Sequence, residues 1–384
     1  MSIRMEIAPE LLHWAANRSG KARGTLEKSF PSLPAWETGT SKPTFHQLES
    51  FARATYTPLG YFFLPTPPQI ELPIPDLRTM GGKPLDAPSP NLLDAIGICL
   101  DRQEWFRSYL IEQGEDSLPF VGSLTVEMSV QRAAESIRSS LEFALADRER
   151  MGTWEDALRA LVINAEDVGV LVMISGIVGS DTHRPLDPEE FRGFALADAY
   201  APVVFVNGAD AKSAQIFTLV HELVHVWLGS SAVTNGAVPH GSENGQPDSL
   251  EYWVNAVTAE LLIPQAVIAQ EFQPAGELID ETRRLSRRFK VSNHVVLRRL
   301  ADERLISWEV YRTTVRQMEP ERSSSQSPGG NFYATAPVRA SRRFTRAVVA
   351  STLEGRTLYR DAFRLLGFRS QKAFDGLAHE LGLA

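Results

Sequence analysis

Among the 384 residues of the chain, one short string joins two imidazoles and a carboxylate: His221-Glu222-Leu223-Val224-His225. On a helix, side chains four residues apart project from one face about one turn from each other, so both histidines can hold a single metal ion. Glu222, between them in sequence, can reach a water bound to that metal and take its proton. A catalytic zinc needs three protein ligands and one open position. The third ligand has to come from further along, where a polar loop leads into Glu251-Tyr252-Trp253-Val254-Asn255. Glu251 is favoured because Asn255 follows four residues on, on the same helical face, where its amide can hydrogen-bond the outer nitrogen of a ligand histidine. Asp248, Glu243, His240 and Glu260 compete with it. His240 and Glu243 stand in a glycine-rich loop, and the spacing of Glu260 from Glu251 turns it to a different face. Peptide hydrolysis also needs a donor for the oxyanion, and His240, Tyr252 and His294 are the candidates.

The elements that position these groups can be read from periodicity. Asn207-Gly208-Ala209-Asp210 is a turn and helix start. Ile216, Phe217, Val220, Leu223, Val224 and Trp227 then make an apolar stripe that predicts a helix to about Leu228, ended by Gly229. Residues 230–247, rich in Ser, Asn, Gly and Pro, read as a loop. Asp248 or Ser249 can cap the next helix, which ends at Pro264. Three β-rich runs, 169–178, 191–196 and 201–206, predict a small sheet packed against the metal-site helices. An edge strand of that sheet could hold an extended peptide by taking it as one more strand. The lead-in from 91 to about 165 is helical, and Cys99 within it reads as a small buried hydrophobe. The fold class is therefore α+β and mainly helical.

Composition bounds the rest. Hydrophobic residues make up 43% of the chain, ordinary for a protein with real cores. The N-terminus shows no signal peptide and no run of apolar residues is long enough to span a membrane, so the expected location is cytoplasmic, with no membrane partner. A single cysteine excludes an intrachain disulfide and a cysteine-built zinc site. A net charge of −8 argues against broad non-specific nucleic-acid binding, though not against a local basic patch. Such a patch exists in sequence: Arg283, Arg284, Arg287, Arg288, Lys290, Arg298, Arg299 and Arg304, read either as a solvated helix face or as a surface for nucleic acid or an acidic partner.

Two stretches carry family resemblance. Leu33-Pro34-Ala35-Trp36-Glu37-Thr38-Gly39, with Lys42-Pro43-Thr44 and Gln47-Leu48 after it, resembles the helix-turn-helix domain of the XRE repressor type. There a Trp-Glu-x-Gly segment closes the recognition helix, and Pro34 falls where that helix should continue. Phe217-Thr218-Leu219-Val220-His221-Glu222-Leu223-Val224-His225, followed by Glu251, Asn255-Ala256, Ala259-Glu260-Leu261-Leu262 and Pro264, resembles the ImmA/IrrE metallopeptidases over about 160–310. Trp253 and Val254 stand where acidic and small residues are common in that family. The resemblance implies a gluzincin-like core flanked by helix-turn-helix-like helical domains, with His221, His225 and Glu251 holding Zn2+, or another divalent metal such as Mn2+, and Glu222 as catalytic base. It also implies a protein substrate, a partner repressor cleaved at one site in a stress, phage or toxin–antitoxin type circuit.

The expected organisation is an XRE-like module at 1–65, a proline-rich connector at 66–90 and a metallopeptidase domain at 91–270. A helix-turn-helix-like unit at 271–322, a linker at 323–330 and a helical C-terminal unit at 331–384 complete it. The alternative function is a non-catalytic regulator or antitoxin-like binding protein that pairs with DNA or a neighbouring toxin. Its basis is the two helix-turn-helix-like segments and a resemblance of the last fifty residues to chains of this family encoded beside small PIN-like nucleases.

Overall fold

The computed structural model describes residues 3–75, 79–80, 83–84, 87–234, 249–318 and 337–383. Two compact units divide the chain: Met1–Pro73 with Asp86–Ile96, and Ile74–Leu85 with Gly97–Ala384.

The first unit is built from short helices, α1 (Pro9–Arg18), α2 (Arg23–Ser29), α3 (Leu33–Glu37) and α4 (Phe45–Ala54), with a 3-10 turn at Leu59–Phe63. Leu11, Leu12, Leu33, Trp36, Leu48, Phe51 and Phe62 form its core. Pro34 lies in the first turn of α3, where a missing N–H leaves no intrahelical bond unmade. A helix therefore restarts at Leu33, after α2 has ended at Ser29, instead of one longer helix running through this segment. Thr44 and Gln47 close a reciprocal capping box on α4.

In the second unit, α5 (Pro90–Gln113), which enters it from the first, is followed by α6 (Val130–Ser140), α7 (Leu145–Arg150) and α8 (Trp154–Asp167). A short hairpin, β1 (Thr79–Met80) with β2 (Lys83–Pro84), precedes them. The sheet has the order β3-β7-β6-β8, from β3 (Leu171–Ser175), β6 (Gly193–Leu196), β7 (Val203–Asn207) and β8 (Ala232–Thr234). β3 and β7 are parallel and the other two pairs antiparallel; β4 (Ile177–Val178) and β5 (Asp181–Pro185) pair separately. β3, β6 and all but the last residue of β7 lie in the runs expected from sequence. β8 does not: it is three residues inside the stretch read as a loop.

Both faces of the sheet are covered, which is why β3 and β7 read as continuous apolar runs. Val172, Ile174, Val204, Val206 and Ala195 join the core with α8 and α9 (Lys212–Leu228). On the other face, Met173 Sδ lies 3.7 Å from Cys99 Sγ and 3.5 Å from Arg102 Nη1, both on α5. Cys99 is thus the buried apolar residue its pattern predicts.

After β8, α10 (Ser249–Leu262) packs on α9 and α6. There follow α11 (Gln265–Glu271), α12 (Leu278–Phe289), α13 (Asn293–Asp302) and α14 (Trp308–Met318), then α15 (Arg342–Leu353), α16 (Tyr359–Leu366) and α17 (Gln371–Glu380). α12 and α13 follow each other through a short turn, with Lys290 in the left-handed conformation and Ser292 capping α13. Leu285, Phe289, Val295, Val296 and Leu300 from this pair share the core of α9 and α10. The C-terminal helices also belong to this second unit. The linker expected at 323–330 lies outside the described residues.

One buried cation joins three helices. Arg148 on α7 is fully buried and donates to Leu262 O (2.8 Å) and Leu261 O (3.4 Å) at the end of α10 and to Phe289 O (3.2 Å) at the end of α12. Helix C-termini leave carbonyls unpaired and carry partial negative charge, so a guanidinium satisfies both needs there. Burial, then Arg138, pulls its pKa down to about 9, and it stays charged at neutral pH. Arg148→Met strands those carbonyls in the core, and the expected loss is roughly 2–4 kcal/mol of unfolding free energy. Urea denaturation measures it; a change within about 0.5 kcal/mol would show that water replaces the guanidinium.

Candidate metal centre

α9 is apolar nearly all round because it is wedged between the sheet and α8 and α10, and its two histidines are carried inward with it. The helix stops where expected: Gly229 takes the left-handed conformation (φ 68°), and Ser230 N donates to His225 O at 2.9 Å. α10 is fixed by Trp253, whose indole N–H donates to Met128 O (3.0 Å), and by Val254, which is fully buried. The two residues that depart from the family pattern are thus packing residues. They leave Glu251, one helical turn before Asn255, facing α9.

His221, His225 and Glu251 come together with one ligand atom each, all within 4.8 Å of one another. Nε2 of His221 lies 3.4 Å from Glu251 Oε2, and Nε2 of His225 lies 3.0 Å from Glu251 Oε1. The two histidines are 1% and 0% exposed, whereas Glu251 is 19% exposed, so the open side of the cluster is the side of Glu251. Despite these separations, both nitrogens of each ring and Oε1 of Glu251 lack a hydrogen bond of normal geometry. Lone pairs that crowd without bonding each other point at a common centre. Tetrahedral zinc with N and O ligands at about 2.0–2.1 Å sets its ligand atoms roughly 3.4 Å apart, which these residues fit.

The electrostatics agree with that geometry. Burial disfavours the His221 imidazolium, but the Glu251 carboxylate, Glu222 and Asn255 outweigh it and hold the His221 pKa above the ordinary value. Burial likewise opposes charge on Glu251, and the two histidines overcome it and hold the carboxyl well below the usual range. The Glu251 carboxylate thus favours positive charge at this cluster, a proton on His221 or a metal ion in its place.

Glu222 is fully buried, and burial pushes its carboxyl up against the opposing pull of His221, His225 and a hydrogen bond from Thr234. That bond, Thr234 Oγ1 to Glu222 Oε1, fixes one carboxylate oxygen; Oε2 has no hydrogen-bond partner among the described residues. Alternation along the sheet places it: Gly193 pairs with Thr234 and Ala195 with Ala232, so Thr234 shares the α9 face. Gly193 itself lets the helix approach. A Cβ there would lie 2.6 Å from Thr218 Cγ2, 2.9 Å from Phe205 O and 3.1 Å from Glu222 Cγ. Thr234 and Gly193 were not foreseen from sequence; the one signal was a glycine inside a strand pattern, which marks close approach of another element.

Asn255 lies on the face expected, where it helps raise the His221 pKa, and its Nδ2 donates to the backbone carbonyl of Glu251 (2.8 Å). Its Oδ1 is buried without a hydrogen bond of normal geometry. Glu260 is occupied elsewhere, paired with Arg299 and accepting from Gln265 N at 3.2 Å. Of the oxyanion candidates, Tyr252 is 59% exposed, and His294 Nε2 lies 3.1 Å from the Tyr311 hydroxyl within the α13–α14 pair. His240, Glu243 and Asp248 lie outside the described residues.

The basic run is largely matched by acids, most of them three or four residues away on the same helices. Arg284 pairs with Glu281 (2.7 Å), Arg288 with Glu149 (2.9 Å) and Glu271 (3.1 Å), Arg298 with Asp302 (3.0 Å) and Arg299 with Glu303 (3.0 Å). Arg283 reaches Asp280 at 3.5 Å, and Lys290 is buried with its Nζ 6.0 Å from the Trp154 ring. Arg287 and Arg304 are exposed.

Zinc has to replace any proton on His221, and a raised pKa keeps that proton in place to higher pH. Apparent zinc affinity is therefore expected to fall as pH drops, with the fall beginning above the ordinary histidine value of 6.5. Competition against a chromophoric chelator between roughly pH 5.5 and 8 measures this. An affinity flat down to pH 6.5 would contradict the stated arrangement of charges.

Comparison with known proteins bears on the same segment. Residues 165–301 match the peptidase M78 family model, described as an IrrE N-terminal-like domain, and residues 340–380 match a domain of unknown function, DUF8813. No curated protein matches the chain. The first match runs from the end of α8 to α13 and includes the whole sheet, α9 and α10. Over the segment that holds His221, Glu222, His225 and Glu251, the chain is thus similar to a peptidase domain of the IrrE type.

Proposed function

We propose that the protein is a zinc-dependent, site-specific endopeptidase whose substrate is a regulatory protein, a helix-turn-helix repressor in the first instance. The observation that carries the reading is the convergence of His221, His225 and Glu251 without mutual hydrogen bonds, beside a buried glutamate with one oxygen held and one left over. Zinc held by those three side chains would acidify a water and polarise the scissile carbonyl. The protein's own groups do the rest. Thr234 holds Oε1 of Glu222, so Oε2 is the oxygen left to take the proton of the attacking water and return it to the amine leaving group. β8 carries Thr234 and is the end strand of the sheet on that side, so a substrate joining its outer edge in extended form would lie beside the reacting groups.

Glu222→Gln keeps the size of the side chain and removes the base. It is expected to retain one zinc per chain by elemental analysis and to lose cleavage of a helix-turn-helix repressor substrate by a factor of roughly 10²–10⁴. Undiminished cleavage, or purified protein that takes up no zinc, would overturn the reading in favour of a binding protein. Thr234→Val leaves the strand intact and frees Oε1. Its kcat is expected to drop about tenfold with KM nearly unchanged, and Thr234→Ser to recover most of it. An equal loss in Ser and Val would show that Thr234 only fills space.

A further inference from the structure

The last helices of the chain leave large apolar side chains outside. Leu353 ends α15, and Leu358 and Tyr359 open α16; they are 45%, 61% and 40% exposed. The turn that gathers them is fixed by its own hydrogen bonds. Arg356 N and Thr357 N both donate to Ser351 O (2.9 and 3.1 Å), and the Ser351 and Thr357 hydroxyls lie 2.8 Å apart. Gly355 within it takes the left-handed conformation (φ 75°). Tyr359 is anchored from inside, its ring 5.2 Å from Phe374 and 6.0 Å from Phe363. Apolar side chains carried on so closed a turn need little further ordering when a partner covers them.

Charge selects the partner. Residues 337–384 hold nine Lys and Arg against four Asp and Glu, a net +5 in a chain of net −8. Arg356 and Arg360 flank the apolar residues, and each is paired only with an acid close by in sequence: Arg356 with Glu354 (3.3 Å) and Arg360 with Asp361 (3.5 Å), among the described residues. Surface pairs of this kind contribute little, so a partner's carboxylate can take over either arginine. Arg346, two helical turns before Leu353 on the same face of α15, is exposed and donates to Leu381 O at 3.4 Å. Apolar side chains with arginines around them fit a protein segment that sets carboxylates beside apolar residues of its own. A bilayer or a nucleic-acid duplex would instead lay uniform negative charge against Glu354 and Asp361.

We propose that the α15–α16 turn is a docking site for an acidic, amphipathic segment of a partner protein. Leu353, Leu358 and Tyr359 form its apolar floor, and Arg356 and Arg360 its charged rim. Docking here needs no metal, so it stands or falls apart from the peptidase reading.

A displayed library of random peptides, selected on the full chain, tests this. The enriched peptides are expected to combine Asp or Glu with Leu, Ile or Phe. Synthetic copies should bind in a fluorescence-anisotropy titration with an affinity that EDTA leaves unchanged. Leu358→Ser should weaken them roughly tenfold, and the double variant Arg356→Glu, Arg360→Glu at least as much. Selection repeated on the double variant should no longer enrich acids. These positions are exposed, so both variants are expected to melt with the unaltered protein. Should Leu358→Ser melt early, the double variant decides alone. Peptides that bind every variant equally would overturn the proposal, as would a selection that enriches no acids. Binding abolished by EDTA would place the peptides at the metal centre and overturn it too. A short DNA duplex and vesicles of equal parts phosphatidylserine and phosphatidylcholine are the rival probes. Binding of either that the double variant abolishes, with no acidic peptide enriched, would give the face to nucleic acid or membrane. Self-association of the unaltered chain that Leu358→Ser removes would give it to a second copy instead.

Discussion

Two buried imidazoles and a largely buried carboxylate held together without hydrogen bonds of normal geometry to one another are costly for a protein, because buried polar groups normally find partners. His221, His225 and Glu251 are in that position. The arrangement persists because each side chain is fixed by apolar packing that has nothing to do with its polar end. α9 is pinned between the sheet and α8 and α10, and α10 is pinned by Trp253, Val254 and the Arg148 guanidinium at its C-terminus. Crowding of this kind is preorganisation: the ligand atoms need little rearrangement when a cation arrives.

The same logic reaches the base. Glu222 could not lie against the sheet if position 193 carried a side chain, since even a methyl would overlap Thr218 and the Phe205 carbonyl. With glycine there, the helix settles close enough for Thr234 to reach the carboxylate. Thr234 has that reach because β8 pairs with β6 in a register that turns Ala232 and Thr234 towards α9 and Val233 away. Slipping the strand by one residue would put Val233 on Glu222 and leave a threonine on the opposite face. A three-residue strand thus controls both the orientation of the base and the main-chain groups offered at the sheet edge.

Much of this was legible in the sequence, for a physical reason. Metal ligands on helices obey the spacing of the helix, so His221, His225 and the Glu251–Asn255 pair could be placed by counting residues, and Glu260 is indeed turned elsewhere. The runs that became β6, β7 and β3 were legible because strands covered on both faces are apolar throughout. β8 was not, because three residues are too few to show a period and sit in a polar stretch. Pairings between distant parts of the chain leave no local trace at all. Glu149 and Glu271 neutralise Arg288 from outside its helix, and together with the i,i+3 and i,i+4 acids Asp280, Glu281, Asp302 and Glu303 they keep a run of arginines from becoming a basic surface of the same extent. Asn255 lies on the face expected, and its Nδ2 also ties to the carbonyl of Glu251 one turn back, a bond within the helix that spacing does not announce.

The unequal reach of the family match is itself a structural statement. Residues 165–301 contain the sheet, α9 and α10, yet they do not contain what covers the second face of that sheet. Met173 lies against Cys99 and Arg102 on α5, before the match begins. The buried Arg102 donates to Leu365 O (3.0 Å) and Arg339 O (3.1 Å), which lie after it ends. On the same side of the chain's order, Glu166 accepts from Ser341 Oγ (2.6 Å) and Arg342 N (2.9 Å), and Phe344 on α15 packs edge-on to Trp105 at 5.6 Å. Residues 171–175 and 203–207, apolar on both faces, would present a wet hydrophobic surface if the chain stopped at α13. The helices of 342–380 are therefore bound into the fold of the peptidase-like core through Arg102 and Glu166, and any role they have in recognising a partner has to be carried by the faces that this docking leaves outside.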